Sequence, residues 1–130
     1  MIANDKILKA LESALNHLKL STSALKSRDE NAFSNSVWHI AAELEYALFL
    51  FSLTFGNKHD TLKVKLNPEP KNLQFDNVMA EVENLLEEAK KLISSRNLLD
   101  AYKSAYMARH RVFKVQEILA KKKREMLKKK

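Results

Sequence analysis

The positions Leu8, Leu11, Leu15, Leu18, Thr22 and Leu25 advance along the chain in alternating steps of three and four. Such spacing lines up one face of an α-helix, the face that a bundle buries. The same steps return at Phe75, Val78, Val82, Leu85, Ala89 and Leu92, each 67 positions further on. A short polar turn follows each stripe, "KSRDENAF" and "SSRNLLDAY", and then a second periodic run begins. In the first such run Phe33, Val37, Ile40, Leu44, Ala47 and Phe51 share a face. Their counterparts in the second are Tyr102, Tyr106, Arg109, Phe113, Gln116 and Ala120, an offset of 69. The pattern predicts an internal repeat of two tandem helical hairpins, with helices over about 5–26, 30–55, 73–94 and 97–128.

Turn chemistry agrees. Ser27, Asp29 and Asn31 offer N-caps before the second helix, Ser27 with Glu30 has capping-box spacing, and Ser94, Ser95 and Asn97 serve the fourth. The only Gly and both prolines fall in "GNKHDTLKVKLNPEPKN". Gly56 can end a helix, while Pro68 and Pro70 forbid one. A lone "LKVKL" strand has no partner, so an extended connection wrapping the bundle is expected. The predicted fold is a single all-α domain over 1–130, a four-helix up-down bundle. Hairpin one spans 1–56, the connection 57–72 and hairpin two 73–130. At ~1.5 Å per residue the last helix would reach about 48 Å, against about 33 Å for the first, and would overhang the bundle.

Three features change this picture. The second helix is apolar on more than one side, because Trp38, Ala42, Tyr46, Phe49 and Leu53 lie roughly opposite its core face. A helix greasy nearly all round must be enclosed: either the 56–72 connection or a second copy of the chain covers that face, and the second copy is the favoured partner there. Arg109 and Gln116 interrupt the apolar stripe of the fourth helix, where burial of a guanidinium demands a mate. A buried polar cluster of Glu43, Arg109 and Gln116 is expected, with Glu45 as an alternative mate.

Charge supplies the third. The formal net charge is +7, yet residues 103–130 alone hold eleven Lys and Arg against two Asp and Glu. Arg111, Lys114, Lys121, Lys122, Lys123, Arg124 and Lys128 form a candidate surface for nucleic acid or an acidic protein. Without an aromatic platform it suits phosphates rather than bases. The plainer reading is a solvated helix end whose lysines complement the dipole.

Other chemistry is thin. His17, His39, His59 and His110 form no HxxxH or ExxH pair, and no phosphate loop or nucleophile motif occurs, so no enzyme, metal or cofactor is expected. The longest apolar stretch, Ile40 to Phe55, is short of the roughly 20 residues that span a bilayer and contains Glu43 and Glu45. The absence of Cys fits a reducing, cytoplasmic setting, and high Lys and Glu with little Gly resemble a thermophile's composition.

The first hairpin, "ALNHLKLSTSALKSRDENAFSNSVWHIAAELEYALFLF", resembles the amino-terminal hairpin of HEPN-type helical bundles. Both have an amphipathic helix, a short polar turn, an Ala/Phe pair and an AAE helix ending in bulky apolar residues. That resemblance implies a small helical bundle, often dimeric, in a family of RNA-cleaving toxins, nucleotidyltransferase partners and non-catalytic modules. The ribonuclease members carry Arg followed by His after four to six residues on a late helix. Here Arg109, His110 and Arg111 are adjacent, so the resemblance implies a non-catalytic member or a toxin–antitoxin component without that site.

Overall fold

The computed structural model describes residues 2–55 and 74–128, and nearly all of these are helical. The helices are α1 (Ile2–Lys26), α2 (Glu30–Phe55), α3 (Phe75–Ser94) and α4 (Leu98–Lys128). The all-α, four-helix architecture read from periodicity is present, with boundaries within a turn of those expected. The predicted wrapping connection, 57–72, lies outside the described residues.

The two tight turns are built alike. Arg28 and Arg96 both adopt left-handed backbone, with φ of 56° and 63°. This lets the chain close the preceding helix in a Schellman motif. Asp29 N–H donates to the Ala24 carbonyl at 2.9 Å and Asn97 N–H to the Leu92 carbonyl at 2.8 Å. The same two residues then cap the next helix. Asp29 Oδ1 accepts from the Ala32 N–H at 3.0 Å, and Asn97 Oδ1 from the Asp100 N–H at 3.4 Å. The expected capping box at Ser27 does not form, because its hydroxyl bonds back to the Ser23 carbonyl.

α1 packs against α2 and α3, and α4 against the same two helices, so α1 is diagonal to α4 and α2 to α3. Side-chain pairs give the directions. Glu12, early in α1, meets Lys90, late in α3, at 4.0 Å. Phe51 and Phe55, at the end of α2, meet Tyr102, near the start of α4, with ring centroids 5.7 and 6.0 Å apart. The up-down order holds within each hairpin, whereas across the connection α3 repeats the direction of α2. The second hairpin is thus the first one turned over, and the two stripes bury each other about an internal twofold.

The phase expected for α4 is corrected by one residue. Its buried positions are Ala101, Ala105, Ala108, Val112 and Val115, whereas Tyr102, Tyr106, Arg109 and Gln116 are half-buried and Phe113 and Ala120 are exposed. These buried positions answer Phe33, Val37, Ile40, Leu44 and Ala47 of α2 at a constant offset of 68. The same offset relates Leu11 to Met79, Ala14 to Val82, and Arg28 to Arg96. The apparent offset of 69 arose from choosing bulk: the α4 stripe buries small side chains, and the aromatics lie one residue later, on its rim. Close helix approach requires this, since interaxial distance follows side-chain size at the contact.

Two stability tests follow from this geometry. Ala108→Leu overfills this stripe and is expected to cost about 1–3 kcal/mol, while Phe113→Ser costs under ~1 kcal/mol, measured by urea unfolding. Equal losses would contradict the observed phase. Asp29→Ala removes a cap worth ~1 kcal/mol, and Asn97→Ala, whose bond is longer, removes less.

Candidate interaction surface

One face of α2 points away from the bundle; its first two turns expose Glu30, Asn31 and Asn35, and from Trp38 to Leu53 it is mostly apolar, with exposed His39 and Glu45 among the apolar side chains. Trp38 is 56% exposed, Tyr46 48%, Phe49 57% and Leu53 63%, with exposed Ala42 between them. These are the five residues expected from the sequence to lie opposite the core face. Phe113, 49% exposed on α4, joins their edge. Its place follows from the Arg109–Glu45 ion pair: in antiparallel helices, one turn forward on α4 is one turn back on α2, which sets Phe113 level with Ala41. Sequence reasoning missed Phe113 because it took this ring for core. The constant offset would have found it, since 68 positions before Phe113 stands Glu45, not Leu44.

The repeat supplies an internal control. At the offset of 68, the outward face of α2 corresponds on α4 to Tyr106, His110, Lys114, Glu117 and Lys121. Four of those five are polar or charged, and Glu117 and Lys121 are exposed. The hairpin therefore forms without an apolar outer face, and the one on α2 is not demanded by the bundle. Aromatics bury about 150–250 Å² each, so the patch presents on the order of 500 Å² of apolar surface. That is at the upper end for a lone monomer patch.

Electrostatics set the borders. α2 contains no Lys or Arg, and its acids after the first turn are Glu43 and Glu45. The expected buried cluster is not present. Arg109 keeps a side chain 38% exposed and pairs with Glu45, which is more exposed still. Glu43 and Gln116 are half-buried. The one-residue shift of α4 moves Arg109 out of the core onto the rim, where a guanidinium stays hydrated and needs no buried mate. Beside it, burial raises the Tyr102 phenol above its ordinary pKa; nearby Tyr106 adds to this and Arg109 opposes it.

The structure divides the candidate phosphate-binding residues. Arg111 is engaged with Glu81 at 3.4 Å and Lys114 with Glu117 at 3.5 Å, midway along α4. Lys121, Lys122, Lys123, Arg124 and Lys128 are all exposed on its final turns, and Lys122 also lies over the Phe75 ring, 5.4 Å from its centroid. α4 has 31 residues, about 46 Å of helix, close to the length expected. Among the described residues Phe55, at the end of α2, corresponds to Lys123, and the stretch from there to Lys128 outruns that counterpart by about 7 Å of helix.

His17 and His39 stack between α1 and α2, with ring centroids 4.7 Å apart. Among the described residues no group of three or more His, Asp or Glu could hold a metal ion, and no helix is long and apolar enough to cross a membrane. The fold and surface define a small antiparallel helical bundle with one apolar outer face and one basic end. Comparison with family models, curated proteins and solved structures finds no match to this chain.

Proposed function

We propose that this chain is a non-catalytic interaction module, a small-complex subunit or adaptor that assembles as a homodimer through the outward face of α2. One observation carries the reading: Trp38, Tyr46, Phe49 and Leu53 are about half or more exposed on a single face, which the repeat-related helix replaces with largely polar residues. Aromatic side chains of this size, gathered on one face, supply the anchors that dominate association energies. Sedimentation at micromolar concentration tests the proposal. The expected mass is about 30 kDa, twofold that of a single chain. Trp38→Ser with Phe49→Ser is expected to return it to the 15.0 kDa of one chain, with helical content unchanged because both residues are solvent-facing. A wild-type monomer, or a dimer indifferent to both substitutions, overturns the reading.

A second reading draws on the exposed Lys121, Lys123, Arg124 and Lys128: this end docks on a polyanion, nucleic acid in particular, by counterion release rather than base recognition. Duplex DNA affinity would then fall with salt at a log–log slope of about 0.9 per phosphate engaged, roughly four in all. Removal of residues 121–130 would abolish the slope. Binding that survives that truncation, or none at ~50 mM salt, excludes it.

A further inference from the structure

The outward face of α2 has a symmetry that points to a particular partner in a particular register. From Trp38 to Leu53 its central line is Trp38, Ala42, Glu45, Tyr46, Phe49 and Leu53, with exposed His39 at the border and exposed Asn31 and Asn35 continuing it towards the helix start. Read backwards, the spacing is the same: the set is symmetric about the point between Glu45 and Tyr46. A helix with such a face complements itself when a second copy is laid across it in the opposite direction, the isologous arrangement of a twofold interface.

We infer that two copies of this chain meet α2 against α2, antiparallel, about a twofold axis that passes between Glu45 and Tyr46. The inference rests on the dimer reading above and specifies its geometry. In this register Trp38 faces Leu53 of the second copy, and Ala42 faces Phe49. Large side chains thereby meet smaller ones along the whole face, and Phe49 fills the space Ala42 leaves. Parallel pairing does the reverse: it sets Trp38 on Trp38 and opens a gap at Ala42.

Charge favours the same arrangement. α2 carries no Lys or Arg, and in this register the acid nearest the axis, Glu45, faces Tyr46 of the second copy, whereas parallel pairing sets Glu45 on Glu45. Arg109 of the same chain already neutralises it through their ion pair. Antiparallel α2 helices also oppose their dipoles, which parallel ones align at a cost. With Phe113 on its border, each copy contributes on the order of 500 Å² of apolar surface, the core of an interface whose standard size is about 800 Å² per partner.

The register has a consequence for the basic ends. The Arg109–Glu45 pair sets residue 109 of α4 level with the axis. Arg124 lies fifteen residues beyond it, about 22 Å along the helix. The twofold places the two Arg124 residues at opposite poles, on the order of 45 Å apart, so the dimer displays its basic turns outward in opposite directions.

The chain has no Cys, so single introduced thiols report on the register without background. Under mild oxidation, Tyr46→Cys is expected to cross-link to itself. Ala42→Cys mixed with Phe49→Cys gives a cross-linked heterodimer, although neither forms one alone, and Trp38→Cys alone gives none. Spin labels on Arg124→Cys, remote from the interface, provide a second measurement on an unperturbed α2 face, expected near ~45 Å between copies. A dimer in which Trp38→Cys and Ala42→Cys each self-link, with label distances under ~25 Å, is parallel and overturns this register while the dimer reading stands. A dimer with no cross-link at any α2 position and another label distance uses a different face and overturns both. A monomer at micromolar concentration overturns the dimer reading itself.

Discussion

The architecture depends on how closely α2 and α4 can approach. Ala101, Ala105 and Ala108 are fully buried on α4, along the stretch that runs from the Tyr102 contact with Phe51 and Phe55 to the Arg109 pair with Glu45. Three successive alanines on one face let α4 lie near the larger side chains of α2, and the two hairpins then share one continuous core. Close-packed interiors transmit such size choices directly into helix spacing and phase. With the alanines inside, Tyr102 and Tyr106 go to the rim, Arg109 reaches Glu45, and Phe113 comes out beside the exposed face of α2. The candidate surface is thus a product of that close approach.

The repeat links fold to function. Both hairpins close through a left-handed arginine, and both start their second helix with an Asp or Asn cap. Non-glycine residues in left-handed backbone are uncommon, and their recurrence at one offset marks the two turns as versions of one device. Core positions keep the same offset. Outer faces do not: α2 carries Trp38, Phe49 and Leu53 where α4 carries Tyr106, Glu117 and Lys121. Shared constraint governs what the bundle buries, and divergence is concentrated where the two helices meet the outside. This pattern separates the outward face of α2 from its core face without recourse to relatives.

The two unusual surfaces are also kept apart. α2 has no basic residue, and the surplus positive charge lies late in α4, beyond the point where Lys122 rests on Phe75. Arg111 and Lys114 are tied into ion pairs along the bundle wall, which leaves the final turns as the concentrated charge. In the proposed dimer, an apolar face free of lysine would be buried without desolvating ammonium groups, and the cationic ends would lie away from it.

Much of this was legible in the chain of residues. Four helices, their limits, the hairpin pairing and the Trp38–Leu53 face followed from period and turn chemistry, because a 3.6-residue repeat and a capping residue are local properties. The phase of α4 was not. Bulk signals burial only where space is ample, and the α4 stripe buries small side chains, so Tyr102, Tyr106 and Phe113 outweighed Ala101, Ala105 and Ala108 in a reading by size. The expected Glu43–Arg109–Gln116 cluster failed with it, since a one-residue turn of roughly 100° carries Arg109 from core to rim. Local sequence determined which segments are helical and which of them carries a second apolar face. Tertiary structure alone decided which residues of α4 face inward and which way α3 runs, because both depend on the distance between helices that no single helix encodes.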